Sequence, residues 1–191
     1  MFRRLYDRVL VWSRHRHARR YLAGLSFAEA TFFPVPPDVM LAPMVLAERS
    51  AAWRLAFLTT ASSVLGGLFG YLIGWLAIEA VLPLIERVGY LDAYQSAVEA
   101  FEAYGVWFVM IAGFTPIPFK IITIAGGALG TPMLGFVVGS LVGRGARFYL
   151  VSGIIWAGGE RAAERLGDWV DLIGWLVVAA VALGGLIWWF W

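Results

Sequence analysis

Two carboxylates and three cations stand inside apolar stretches of this chain: Glu29, Asp38, Lys120, Arg144 and Arg147. Ionisable groups at membrane depth are costly and mark candidate functional sites. Glu29 and Asp38 are the candidates for accepting and releasing a proton. Lys120, Arg144 and Arg147 are the candidates for holding a phosphate-bearing head group, a lysine as a point charge and an arginine through a forked donor pair. Arg144 and Arg147 are three residues apart and share a helix face. They point into a seam from which they can pair with Glu29 and Asp38 or clamp an anion.

Each residue also has a plainer reading. Asp38 follows three prolines and sits where a helix begins, so it can serve as a cap. Glu29 can be a hydrogen-bonded group that holds its segment shut. Lys120 can snorkel to an interface. The arginines can form structural ion pairs or lie near the cytoplasmic interface. Membrane depth favours the functional reading for the acidic pair and the arginines; for Lys120 the two readings balance.

Two proline breaks must position these groups. The first is Phe32-Phe33-Pro34-Val35-Pro36-Pro37-Asp38; the second is Phe114-Thr115-Pro116-Ile117-Pro118-Phe119-Lys120. Proline fixes φ and lacks a donor, so each break is stiff and exposes carbonyls. Broken backbone is tolerated in a bilayer only inside protein or along a watery cavity. A shift of about 82 residues lays Pro34 on Pro116, Pro36 on Pro118 and Asp38 on Lys120. Matched breaks in two halves of a membrane protein point to a transport site.

The expected architecture is an all-α polytopic membrane protein in a single integral-membrane domain. It reads as an inverted repeat of two Pro-broken re-entrant hairpins, with about three spanning helices and an N-terminal amphipathic helix. Residues 1–20 carry seven arginines and form the amphipathic basic helix, lying on the cytoplasmic face against anionic lipid. They do not read as a secretory signal peptide. Hairpin 1 is 21–48, followed by a span at 55–78. An outer amphipathic linker occupies 79–104, where acidic residues outnumber Arg87 and place it outside. Hairpin 2 is 105–130, with Ala125-Gly126-Gly127-Ala128 read as its turn. A second span at 132–157, a polar linker at 158–171 and a final span at 172–191 complete the chain. Gly66, Gly70 and Gly74, and likewise Gly135, Gly139 and Gly143, make small-residue stripes for close helix packing.

Composition narrows the function. The 191 residues are 61% hydrophobic and 15% charged, which leaves no water-soluble catalytic domain once the apolar segments are assigned. The absence of cysteine removes disulfide, thiolate and Cys-metal chemistry. His15 and His17 fall on different helix faces, so no metal site is expected. No Walker-type loop occurs and no serine has a partnered histidine, so no enzyme and no cofactor are expected. The basic N-terminus suits lipid rather than nucleic acid.

Phe27-Ala28-Glu29-Ala30-Thr31-Phe32-Phe33-Pro34-Val35-Pro36-Pro37-Asp38 resembles the first-hairpin signature of the DedA family (SNARE-associated Golgi or VTT domain), with Pro37 in the place of a usual glycine. Gly113-Phe114-Thr115-Pro116-Ile117-Pro118-Phe119-Lys120 and the following Ala125-Gly126-Gly127 are similar to the second. There Gly113 replaces an expected arginine and Lys120 stands one residue late for another, as in a YqaA-like branch. The resemblance covers residues 20–160. It implies facing re-entrant hairpins, location in the bacterial inner membrane, and translocation of undecaprenyl phosphate or phospholipid, with proton-dependent roles for Glu29 and Asp38.

The expected function is therefore a proton-linked lipid transporter or flippase whose partners are membrane lipids and protons, with homo-oligomerisation left open. The rivals are an ion-coupled small-solute transporter and a non-transporting factor for membrane assembly or homeostasis. Neutral substitution at Glu29 or Asp38 is expected to abolish activity with the fold intact.

Overall fold

A computed structural model describes residues 17–33, 35–87, 89, 91–115 and 119–159. These residues form helices and short connections, and no strand occurs among them. The basic segment 1–16, the end of the chain from 160, and Pro34, Pro116 and Pro118 lie outside the described residues. The final span at 172–191 and most of the linker before it lie there too.

Helix α1 (Ala18–Thr31) ends where the first proline break begins. The amides of Phe32 and Phe33 both donate to the Ala28 carbonyl, at 2.8 Å. Helix α2 (Asp38–Ala47) then starts on the pre-set φ of Pro37, −66°, with Asp38 in its first turn. Its ten residues span roughly 15 Å, half the hydrocarbon thickness of a bilayer. An exposed Arg19–Glu48 ion pair at 3.3 Å joins the start of α1 to the end of α2. The first helix–break–helix unit thus returns to its origin.

A 3-10 turn (Arg49–Ala51) leads into α3 (Ala52–Arg87), which is 36 residues long. The expected span at 55–78 is therefore only part of a longer helix, and the linker at 79–104 is not a separate element. The strong helix formers Glu79, Ala80, Leu82, Glu86 and Arg87 carry α3 onward past its apolar stretch. It stops near Gly89, whose φ of +76° suits glycine. Helix α4 (Leu91–Phe114) takes up the rest of that segment and continues to the second break.

Helix α5 (Phe119–Ala128) follows that break. Gly126 and Gly127 are helical, not a turn: a Cβ on Gly127 would strike the Tyr71 carbonyl of α3, so the glycine permits close approach. The turn falls two residues later. Gly130 has φ +70°, the Gly130 amide donates to Gly127 O and the Thr131 amide to Gly126 O, which closes the helix end. The Tyr94 hydroxyl donates to the Ala128 carbonyl at 2.9 Å, so the second unit also returns to its origin. Helix α6 (Met133–Gly159) follows.

The α3 glycine stripe lies on both units. A Cβ on Gly66 would meet the Phe27 backbone of α1, one on Gly70 the Thr123 side chain of α5, and one on Gly74 the Ile124 backbone of α5. The Gly135, Gly139 and Gly143 stripe of α6 meets Val106, Val109 and Met110 of α4 in the same way. Toward its other end α6 contributes Phe148, Val151 and Ile155 to a core with Leu22, Leu41, Val45 and Leu55. A second core holds Ala30, Tyr71, Val109, Phe119 and Phe136. The end of α1 and the start of α5 consequently meet beside the middle of α3.

Two helices, Arg49–Pro83 and Met133–Gly159, are long and apolar enough to cross a membrane. Their apolar stretches are only 33% and 44% buried, unlike the mostly buried core helix of a soluble protein. Phe57, Leu65, Leu72 and Leu76 of α3 and Leu134, Val138 and Val142 of α6 are exposed.

Candidate functional site

Arg144 and Arg147 flank Ala146, the central residue of Met133–Gly159, and Gly66 is the central residue of Arg49–Pro83. The site is therefore built at mid-helix, beside the described residues that flank the two breaks. The Gly135–Gly139–Gly143 stripe lets α6 approach α4 closely enough for its next residues to reach across the tips.

Arg144 is almost completely enclosed, at 4% exposure. Its Nε–H donates to the Ser63 hydroxyl of α3 at 2.6 Å, and Nη2 donates to the Glu29 carboxylate of α1. The rings of Phe119 and Phe148 lie 5.0 and 4.7 Å from the guanidinium carbon. Glu29 and Arg144 thus tie α1, α3 and α6 together around one desolvated pair, and the aromatic contacts add cation–π attraction.

Arg147, one turn further, makes a different set of contacts. Nη2 donates to Asp38 Oδ2 at 2.7 Å. Nη1 reaches the carbonyls of Phe114 and Thr115 at 3.4 and 3.3 Å, at the start of the second break. One side chain therefore bridges both breaks. The second Asp38 oxygen, Oδ1, is buried and has no hydrogen-bond partner among the described residues.

Lys120, in the first turn of α5, reaches across the junction, with Nζ 3.5 Å from the Phe32 carbonyl at the end of α1. It forms no ion pair with a described residue. Glu29, Asp38, Arg144 and Arg147 balance in formal charge, and Lys120 stands outside both pairs at the Phe32 carbonyl. Four of the five residues singled out from the sequence are thus paired, and Lys120 is placed where the end of α1 meets the start of α5. Among the described residues, no group of three or more His, Asp or Glu side chains is arranged to hold a metal.

Ser63, Phe119, Phe148, Thr31 and Thr123 are not among the site residues expected from the sequence. The Thr31 hydroxyl donates to Gly66 O at 3.0 Å, and that of Thr123 to Ala30 O at 3.2 Å, stitching each unit to its neighbour. A signal was present for Ser63: Thr59, Ser63, Gly66, Gly70 and Gly74 fall on one helical stripe. Gly113 also acquires a role. A Cβ there would lie 3.1 Å from the Arg144 amide and 3.3 Å from Gly143, so a side chain at 113 and α6 compete for one space.

Among the described residues, the fold and site are those of an all-helical protein with two helices fit to cross a membrane and a buried charge cluster between them. No protein-family model matches the chain, and no solved structure does. An uncharacterized protein of Haemophilus influenzae (strain Rd) is 41% identical over 187 residues, covering 98% of this chain and 97% of the relative. An uncharacterized homologue from Histophilus somni is 39% identical over 178 residues, covering 93% of each. The chain belongs to one family with these two proteins.

Proposed function

We propose that this is a multi-pass protein of the bacterial inner membrane that moves a lipid with an anionic head group between leaflets, linked to protons. In this reading it is DedA-like. The two helix–break–helix units are re-entrant hairpins entering from opposite faces, and the N-terminus is cytoplasmic. A polyprenyl phosphate such as undecaprenyl phosphate, or a phospholipid, presents its head group to the hairpin tips while its tail stays in lipid.

The observation that carries the reading is the pair of enclosed Arg–carboxylate contacts at the junction of two proline-broken helices, midway along both long helices. Trp53 and Trp156 pack together near the ends of those helices, in the manner of interfacial anchors. Ser63 is ten residues from Trp53, which is roughly 15 Å along α3 and so half a bilayer in depth. Ions at that depth in broken helices suit a transport site. Lys120 and Arg147 face the head group, Arg144 supplies the cation expected near Gly113 from a different helix, and Asp38 carries the coupling proton while Glu29 stays paired with Arg144.

Transbilayer movement of labelled undecaprenyl phosphate and phosphatidylethanolamine in proteoliposomes, with and without a pH gradient, tests this. Gradient-sensitive movement of either lipid is expected. Movement of neither by folded protein, or ion-coupled uptake of a small solute instead, overturns it.

A further inference from the structure

The two Arg–carboxylate pairs are not equivalent, and the asymmetry lies in their backbones as much as in their side chains. Glu29 sits in the last turn of α1, where the partial negative charge of the helix end disfavours a carboxylate. It depends on Arg144 for compensation. Asp38 sits in the first turn of α2, where the helix end favours a carboxylate even without Arg147. Asp38 can therefore release its arginine at lower cost.

The arginines differ in the same sense. Arg144 is held by Ser63 and Glu29 and lies close to two aromatic rings. Arg147 has one short contact, to Asp38, and two long contacts to carbonyls at the break. The buried Asp38 Oδ1 has no hydrogen-bond partner among the described residues, whereas Oδ2 accepts from Arg147. Lys120, whose ammonium reaches the Phe32 carbonyl at the first break, forms no ion pair with a described residue.

We propose that Glu29–Arg144 is a fixed pin and that Asp38–Arg147 is an exchangeable pair. An anionic phosphate group displaces Asp38 from Arg147 and is held by Arg147 and Lys120, while Arg144 never touches it. Arg147 is the binding residue, and Arg144 is a positioning residue that fixes α6 so that Arg147 projects between the breaks. This assignment rests on the lipid-transport reading for the source of the phosphate, but the exchange of partners on Arg147 is a separate claim.

The test is binding of dodecyl phosphate to the purified full-length protein in a neutral detergent, read as a thermal-stability shift against concentration. Inorganic phosphate and a neutral dodecyl glycoside are run in parallel. Wild type is expected to bind dodecyl phosphate. Asp38→Asn is expected to bind it roughly tenfold more tightly, because Arg147 is freed from its charged competitor. Glu29→Gln is expected to give no such gain, and Lys120→Gln to weaken binding several-fold. A paired Asp38→Asn, Arg147→Gln variant, which leaves net charge unchanged, is expected to lose binding.

Unchanged affinity in Asp38→Asn overturns the assignment, as does an equal gain in Glu29→Gln. Should Asp38→Asn not fold, wild-type binding by the paired variant overturns it. Expected variant behaviour toward inorganic phosphate as well as dodecyl phosphate supports the exchange and assigns the site to free phosphate. Expected binding without lipid movement in proteoliposomes supports the exchange and removes the transport reading alone.

Discussion

Arg144 and Glu29 are 115 residues apart in the chain and form an ion pair enclosed by helices α1, α3 and α6. The pair contributes a folding constraint whatever the function of the protein. Two charges removed from water must compensate each other, and the loss of one partner leaves the other stranded.

Breaking this pair from one side should therefore be far worse than removing it whole. Glu29→Gln or Arg144→Met alone is expected to cost about 3–5 kcal/mol. The double variant should recover most of that loss. Unfolding of purified protein in detergent, followed by circular dichroism, checks the cycle; equal losses in all three variants would exclude the pin. The expectation that neutralising Glu29 spares the fold is accordingly replaced by one of a measurable folding cost.

Glycine-to-alanine changes should sort by the space available. Gly66→Ala, Gly74→Ala and Gly127→Ala each drive a methyl group into the backbone of a neighbouring helix and should cost about 1–3 kcal/mol. Gly24 lies within α1 with nothing within 4 Å of a new Cβ. Gly24→Ala should stabilise by about 0.5–1 kcal/mol through the lower entropy of the unfolded chain. Thermal midpoints of the four variants decide this, and a destabilising Gly24→Ala would contradict the packing.

The absence of cysteine permits a direct test of sidedness. Ser50 precedes α3 and Ser96 follows it, both are exposed, and α3 runs roughly 54 Å between them. A membrane-impermeant maleimide added to intact cells should label Ser96→Cys. It should label Ser50→Cys only after the membrane is opened. Labelling of both from one side would contradict the proposed crossing by α3.

Buried hydroxyls that hold α5 and its following turn to the bundle should contribute singly and modestly. The Tyr71 hydroxyl donates to the Thr131 carbonyl at 2.8 Å, and Thr123 donates to Ala30 O across the junction. Tyr71→Phe and Thr123→Val are each expected to lose about 0.5–1.5 kcal/mol. Denaturant midpoints check both. No loss in Thr123→Val would mean that this bond does not tie the two units together.

Local sequence was a good guide to where helices break. Pro34, Pro36, Pro37, Pro116 and Pro118 announce two interruptions because proline acts on its own backbone and needs no distant partner. The glycine stripes were legible for a similar reason: fourfold spacing on a helix defines one face. Boundaries in 79–104 were not legible. Polarity suggested a linker there, but charged and alanine residues are themselves good helix formers, and the helices run on. Gly126-Gly127 misled in the opposite direction, because glycine serves close approach as readily as turning.

The sequence by itself determined the helical class, the positions of the breaks and the identity of the ionisable residues in apolar surroundings. Those properties follow from composition, spacing and backbone chemistry within a few residues. Only the tertiary structure decided which arginine faces which carboxylate, that Ser63, Phe119 and Phe148 enclose Arg144, and that Gly113 leaves room for α6. These are contacts between elements up to 115 residues apart, set by how closely glycine-lined helices approach. Periodicity along one helix carries no record of its neighbour's register.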